Sequence, residues 1–134
     1  MLGDIESVLL SEQQLDEKVT EIAAQISRDY QDKDPVFIGV LKGSFVFMAD
    51  LMRKIHIYCN IDFMAVSSYG DQSTSTGAVK ISKDLERDIE GRHVIVVEDI
   101  LDSGLTLSYL LSYLQGRKPA SIKPVSYTHL SARR

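Results

Sequence analysis

The chain contains a single cysteine, Cys59, among its 134 residues. One cysteine cannot form an internal disulfide, and its isolation is typical of proteins from a reducing compartment. We expect Cys59 to be a small, partly buried side chain rather than a reactive thiol, because free cysteines are usually buried. No apolar run approaches the roughly 20 residues that a membrane-spanning helix needs. Residues 1–10 carry acids where a secretory signal would carry bases, so we expect a cytoplasmic protein that does not enter a membrane.

Basic residues are fewer than acidic residues. Fifteen Lys and Arg face 19 Asp and Glu, for a formal net charge of −4, which gives no reason to expect a nucleic-acid partner. The Walker A pattern G-x-x-x-x-G-K-[ST] and the dinucleotide pattern G-x-G-x-x-G are both missing, which excludes two common glycine-rich phosphate loops. We expect the scattered histidines His56, His93 and His129 to be structural or surface side chains, since they lack the spacing of metal ligands.

The spacing of apolar residues predicts one α/β domain. Ser11 and Gln14 form a capping-box pattern, and the apolar residues that follow at three- and four-residue spacing predict a helix to about Asp32. The alternation of helices and short strands predicts a largely parallel central sheet flanked by helices. The other predicted elements are strands at 36–41, 61–67, 79–81 and 94–97, helices at 45–55 and 107–114, and a polar loop at 68–77.

The most informative stretch runs from Val94 to Leu107. Its four β-branched residues, 94–97, predict a strand that is buried on both faces. Glu98 and Asp99 follow at the carboxyl end, and Asp102 begins a polar turn with a glycine that leads into a helix. Such a strand, turn and helix gather backbone N–H groups around a phosphate. The three acids would then face sugar hydroxyls, a divalent cation or a proton to be removed, so the pattern favours a sugar phosphate.

Each of these patterns also has a purely structural interpretation. Adjacent acids after a strand are about as often a solvated strand end, and Asp102 could simply cap the following helix. A Lys42-Gly43 pair after a strand is more often only a turn, and the polar segment 68–77 is by default a surface loop. Patterns of residues alone leave these alternatives open.

The segment E-D-I-L-D-S-G-L-T, from Glu98 to Thr106, resembles the phosphoribosyl-pyrophosphate signature of the type I phosphoribosyltransferases. It is most similar to the hypoxanthine-guanine (6-oxopurine) branch, whose core reads E-D-x-x-D-[ST]-G-x-T and is diagnosed by the acid at Asp102. The resemblance implies an enzyme of purine salvage. Such an enzyme transfers the 5-phosphoribosyl group from phosphoribosyl pyrophosphate to hypoxanthine or guanine, with Mg²⁺, and releases pyrophosphate.

The resemblance also implies roles for individual residues. Glu98 and Asp99 would hold the ribose hydroxyls and the hydrated Mg²⁺, and Asp102 would act as general base toward the purine. Gly104 would let the backbone approach the 5′-phosphate closely. The implied phosphate turn consists of Asp102, Ser103, Gly104, Leu105 and Thr106.

Two further motifs match the same family. L-K-G-S, from Leu41 to Ser44, matches its pyrophosphate loop L-K-G-[SG], which implies that Leu41, Lys42 and Gly43 meet the leaving pyrophosphate. Ser68 and Tyr69 match the Ser-Tyr pair of its flexible loop. Closing such a loop keeps water away from an oxocarbenium-like ribose during the reaction.

We expect the resemblance to end near Lys123, giving an incomplete phosphoribosyltransferase domain at 1–123 and a non-matching tail at 124–134. Pro124 in what should be a central strand argues against a normal continuation. The family's purine-reading lysine, its stacking residue and its second metal-binding aspartate have no match here, and Lys118 and Lys123 lie too early to be assigned. A chain truncated in this way is expected to be weakly active at best.

Two other functions stay open. One is a non-catalytic regulatory protein that senses phosphoribosyl pyrophosphate or a nucleotide and binds RNA or DNA, although the net charge does not favour it. The other is a phosphoribosyltransferase specific for xanthine. The resemblance further implies a homodimer or homotetramer.

Overall fold

A computed structural model describes residues 11–41, 44–68, 79–98 and 104–126. Within these ranges no helix is long and apolar enough to cross a membrane. These ranges contain three helices and five strands. In order they are helix α1 (Glu12–Asp29), strand β1 (Val36–Leu41), helix α2 (Phe45–Met52), strand β2 (Asn60–Ser68), strand β3 (Val79–Lys83), strand β4 (His93–Glu98), helix α3 (Gly104–Gln115) and strand β5 (Ser121–Ser126).

The five strands form one sheet in the order β3-β2-β1-β4-β5. β1 pairs in parallel with β2 and β4, and β4 pairs in parallel with β5. β3 pairs antiparallel with β2, as expected for the strand that returns from the polar loop. The predicted largely parallel sheet is therefore confirmed, and Val36 lies level with both Asn60 and Val94, so β1, β2 and β4 begin at the same edge.

The two central strands are covered on both faces. All four residues of Val94–Val97 are at most 1% exposed, which confirms the predicted doubly buried strand. Ile95 and Val97 pack with α1 and α2, whereas Val94 and Val96 pack with Leu110 and Leu114 of α3. Each large apolar side chain buried in this way contributes about 1.5–3 kcal/mol relative to exposure.

Helix α1 begins as its sequence predicts. The Gln14 backbone N–H donates to Ser11 Oγ at 3.1 Å, and the Ser11 N–H donates to Gln14 Oε1 at 2.9 Å, which completes the capping box. The helix ends at Asp29, before the predicted end near Asp32. Asp32 and Asp34 have positive φ angles of 66° and 46°, which no α-helix continues through.

Helix α2 ends at Met52, so the predicted extension to residue 55 is wrong. The reason is a tighter turn, in which the Lys54 N–H donates to the Leu51 carbonyl at 2.9 Å, three residues back. Helix α3 begins at Gly104, earlier than the predicted start at residue 107.

The last strand also differs from the prediction. We expected Pro124 to prevent a normal strand here, whereas β5 spans Ser121–Ser126 and places Pro124 beside Val96. β5 is the outermost strand on its side of the described sheet. An edge strand accepts a proline because its outward N–H has no ladder partner to lose. Pro124 therefore does not break the strand, and the domain boundary after Lys123 remains a prediction.

Candidate active site

The carboxyl ends of β1, β2 and β4 meet at one edge of the sheet. Leu41 at the end of β1 pairs with Ala65 of β2, and Gly39 pairs with Val97 of β4. Glu98 follows Val97 directly, so it ends β4 close to the level of Leu41. Because neighbouring strands lie about 4.8 Å apart, the motifs that begin after β1 and β4 start side by side.

This edge is a topological switch point. The β1–β2 connection carries α2 over one face of the sheet, and the β4–β5 connection carries α3 over the other face. The two connections therefore leave the β1–β4 pair toward opposite faces of the sheet. Open α/β sheets bind their ligands in the crevice expected beyond the carboxyl ends of such a pair.

Part of the predicted site lies at this edge of the sheet. Leu41 and Glu98 are half-buried at their strand ends, and Ser68 ends β2 at the same edge. Gly104, Leu105 and Thr106 form the first turn of α3. The predicted site residues Lys42, Gly43, Tyr69, Asp99, Asp102 and Ser103 lie outside the described residues, so their roles remain predictions.

The predicted phosphate turn is bounded by the expected elements. β4 ends at Glu98 and α3 begins at Gly104. The first turn of a helix has free N–H groups and a partial positive charge, both of which favour a phosphate. Leu110 and Leu114, which are fully buried, fix α3 against the sheet.

The connection after β1 contains a feature that sequence reasoning missed. Ser44 is fully buried, and its hydroxyl donates to the Val40 carbonyl at 2.8 Å. A Cβ atom added to Gly39 would lie 2.8 Å from Cε1 of Phe63, so a larger residue there would have to displace the ring. The motif L-K-G-S contained Ser44, but the resemblance assigned a role only to its first three residues.

A second feature that sequence reasoning missed is a cluster of three polar side chains, which connects the end of α3 to the segment after β3. Tyr113 Oη donates to Asp84 Oδ2 at 2.6 Å, and Arg117 Nη2 donates to the same oxygen at 2.5 Å. Burial alone would raise the pKa of Asp84, but these hydrogen bonds outweigh it and lower the pKa below its ordinary value of 3.8. The partners are 29 and 33 residues apart in sequence, so no local pattern indicates them.

Other polar groups have structural roles. Cys59 is half-buried, and burial, together with the charge of Asp34, raises the pKa of its thiol, in keeping with the expected unreactive cysteine. His93 Nδ1 lies 2.7 Å from Ser121 Oγ, and its ring meets Tyr30 edge-on. In the ranges that the structure covers, no three His, Cys, Asp or Glu side chains form a metal-binding group. His129 lies outside those ranges.

The phosphoribosyl transferase domain matches residues 7–128 of this sequence. The chain belongs to this family. The phosphoribosyltransferase is 52% identical over 126 residues to the hypoxanthine-guanine phosphoribosyltransferase of Bacillus subtilis (strain 168), a match that covers 94% of this chain and 70% of that protein.

Two further similarities support the assignment. The bifunctional protein TilS/HprT of Listeria monocytogenes serotype 4b is 48% identical over 94% of this chain, which spans 19% of that longer protein. A crystal structure of a hypoxanthine-guanine phosphoribosyltransferase from Bacillus anthracis superposes with a TM-score of 0.85 at 52% identity, covering 89% of this chain and 70% of that one. The phosphoribosyltransferase therefore has the type I fold that its motif implied.

Proposed function

We propose that this chain is a hypoxanthine-guanine phosphoribosyltransferase of purine salvage. It transfers the 5-phosphoribosyl group from phosphoribosyl pyrophosphate to a 6-oxopurine, forming IMP or GMP and releasing pyrophosphate. The observation that carries the proposal is the position of the E-D-I-L-D-S-G-L-T segment, which connects β4 to α3 at the switch-point crevice. The relatives that bear this enzyme's name support the choice of purine.

Different segments at this edge of the sheet would bind different parts of the substrate. The free N–H groups in the first turn of α3, from Gly104 to Thr106, suit the 5′-phosphate. Glu98, half-buried at the end of β4, and the adjacent Asp99 would hold the ribose hydroxyls. Lys42 and Gly43, after β1, would meet the pyrophosphate on the other side of the crevice. This arrangement spans the sugar between its two phosphate ends.

The donor set at the end of β4 fits Mg²⁺. Glu98 and Asp99 present carboxylate oxygens, the ligands that Mg²⁺ prefers, and adjacent carboxylates favour a cation between them and a phosphate. Glu98 and Asp99 would hold the ion together with the ribose hydroxyls, and the bound ion would supply positive charge to offset that of the leaving pyrophosphate.

Asp102 is proposed as the general base. Attack by a purine ring nitrogen requires the loss of a proton, and a carboxylate in the turn before α3 can accept it. Asp102→Asn should lower kcat by about 100-fold or more, because general-base catalysis contributes that much, while KM values stay within about threefold. Steady-state rates of IMP formation measure both constants.

The control for this prediction is Asp88→Asn. Asp88 is exposed, and its carboxylate accepts the Glu90 backbone N–H at 3.0 Å, so the same chemical change is made in the β3–β4 connection. It should leave kcat at the wild-type value. An Asp102→Asn variant with wild-type turnover would remove the base role.

The direct test of the function uses the purified chain with phosphoribosyl pyrophosphate, Mg²⁺ and each of hypoxanthine, guanine and xanthine. We expect IMP and GMP to form with release of pyrophosphate. Turnover of xanthine alone would instead indicate the xanthine-specific enzyme. A folded chain that turns over none of the three bases and binds RNA with a steep salt dependence would be the regulatory protein.

We further propose a homodimer or homotetramer in the cytoplasm, as the family resemblance implies. Light scattering after size-exclusion chromatography measures the mass directly. A mass equal to the 15.0 kDa of one chain at micromolar concentration would contradict the oligomer.

A further inference from the structure

Ser44 is one of two buried polar residues in the part of the chain that the structure describes. It is 0% exposed and stands at the point where the chain leaves β1 and enters α2. Burying a hydroxyl is unfavourable unless it forms a hydrogen bond. Its presence therefore calls for a partner, and the partner indicates what the residue does.

The partner is the Val40 carbonyl. Ser44 Oγ donates to it at 2.8 Å, and the Ser44 backbone N–H donates to the same oxygen at 3.3 Å. Both donors of one residue therefore hold the start of α2 to Val40, next to the end of β1. The carbonyl of Ser44 in turn accepts the Met48 N–H at 2.8 Å, which continues the bonding into α2.

The Ser44 hydroxyl does not cap the helix that follows it. A serine before a helix normally adopts an extended backbone and accepts an N–H from the first turn. Ser44 has φ −80° and ψ 0° and makes no such side-chain bond. Its side chain is directed back toward the strand instead, so it stabilises the connection rather than the helix.

Gly39 and the Phe63 ring border the space that the Ser44 hydroxyl occupies. A Cβ atom on Gly39 would lie 3.4 Å from Ser44 Oγ and within 3 Å of the Phe63 ring. The glycine therefore provides the space in which the serine side chain lies, between β1 and the ring from β2. A side chain held by packing and by one short bond has a single orientation.

We infer that Ser44 is a positioning residue, whose hydroxyl fixes the start of α2 relative to the end of β1 and thereby places Lys42 and Gly43 for the leaving pyrophosphate. The inference rests on the proposed function for the identity of that ligand. Ser44 does not touch the substrate in this scheme. It acts through the backbone on either side of the residues that do.

Ser44→Ala removes the hydroxyl, and with it the bond to the Val40 carbonyl, while it keeps the Cβ. We expect the KM for phosphoribosyl pyrophosphate to rise about tenfold, since small displacements of positioned groups have large effects. Binding of Mg²⁺-pyrophosphate, measured by titration calorimetry, should weaken by a similar factor. The KM for hypoxanthine should stay at the wild-type value, because the purine approaches C1 of the ribose from the face opposite the pyrophosphate.

Thr20→Ala is the matched control. The Thr20 hydroxyl donates to the Asp16 carbonyl at 2.8 Å, the same distance and the same four-residue separation, but on an exposed face of α1. It should change neither constant. Ser44→Cys, which keeps the size with a weaker donor, provides a second variant with an expected intermediate effect if the alanine variant fails to fold.

The outcomes separate this inference from the proposed function. If wild type is active and Ser44→Ala matches it, or lowers all constants equally along with thermal stability, the positioning role is wrong and the function stands. If wild type is inactive but binds Mg²⁺-pyrophosphate more tightly than Ser44→Ala does, the inference stands and the function fails. A wild type that neither reacts nor binds pyrophosphate overturns both.

Discussion

At the scale of single residues, Gly39 of β1 leaves room for the Phe63 ring of β2. Gly39 carries no side chain, and the Phe63 ring occupies the space that a Cβ atom would need, at 2.8 and 2.9 Å. Real Cβ contacts are longer than this, so an added methyl group must displace the ring. The consequence extends to the site, because Ser44 packs over the same glycine.

Gly39→Ala should lower the free energy of unfolding by about 1–3 kcal/mol, the usual cost of overpacking a core. Urea unfolding followed by circular dichroism measures the change. Replacing Phe63 by leucine in the same chain should recover part of the loss, because the two changes share one contact. Strict additivity of the two single variants would show that the ring is not what excludes the methyl group.

At the scale of elements, the two ends of α3 have different surroundings. Its first turn lies at the crevice, and its last residues lie near Asp84, Tyr113 and Arg117. The Arg117 guanidinium also stacks over the Tyr113 ring, 5.0 Å from the centroid. Asp84 follows β3, so this cluster ties the helix to the strand that returns from the polar loop.

The cluster gives the stability of the fold a predictable pH dependence. The pKa of Asp84 is lowered in the folded state, so the unfolded chain binds the proton more readily. The contribution of Asp84 is therefore fully present above its ordinary value of 3.8, and it is lost as the pH falls through the lower folded pKa. Because the groups are partly exposed, salt should weaken the effect.

The free energy of unfolding of wild type and of Asp84→Asn is measured by urea titration from about pH 2 to about pH 7, a range that includes that pKa. The stability gap between the two proteins should be constant at neutral pH and should close as the solution becomes acidic. Asp88→Asn, at an exposed site in the same connection, should show no comparable gap. A gap that widened toward acid would contradict the lowered pKa.

At the scale of the whole molecule, one sheet unites two apolar clusters. α1 and α2 cover one face, α3 covers the other, and β1 and β4 contribute alternate side chains to both clusters. Asp62, 5% exposed, accepts the backbone N–H groups of Glu86 and Arg87 at 3.0 and 3.1 Å and fixes the β3–β4 connection to β2. Neither cluster exists without the shared strands, so the described domain should unfold as a unit.

A matched pair of variants tests this unity. Leu51 and Leu110 are both 0% exposed and lie in opposite clusters. Leu51→Ala and Leu110→Ala should each cost about 2–5 kcal/mol and shift one cooperative transition with an unchanged urea dependence. Two separate transitions, each sensitive to only one variant, would mean that the faces unfold independently.

Much of the fold follows from local spacing. The capping box at Ser11, the strand at 36–41 and the doubly buried strand at 94–97 are written in consecutive residues, and the structure confirms all three. Helix ends were predicted less well. Met52 ends α2 because of a three-residue turn, and a periodic pattern of apolar residues contains no information about that turn.

Part of the candidate site could likewise be predicted from contiguous residues, and part could not. The motif from Glu98 to Thr106 and the motif after β1 are contiguous in sequence, and strand pairing brings the starts of both to one edge of the sheet. Ser44 was within a motif and still missed, because its burial depends on the space beside Gly39 and on Phe63 in another strand. The Asp84 cluster joins residues about thirty positions apart.

The sequence by itself determined the order of helices and strands, the phosphate-binding segment and the family, because each is encoded in neighbouring residues. Only the tertiary structure decided the strand order β3-β2-β1-β4-β5, the place of Pro124 at the edge of the described sheet, and the burial of the Ser44 hydroxyl. These depend on which distant segments pack together. That choice is made by the apolar area buried over the whole sheet, a quantity that no local pattern of residues specifies.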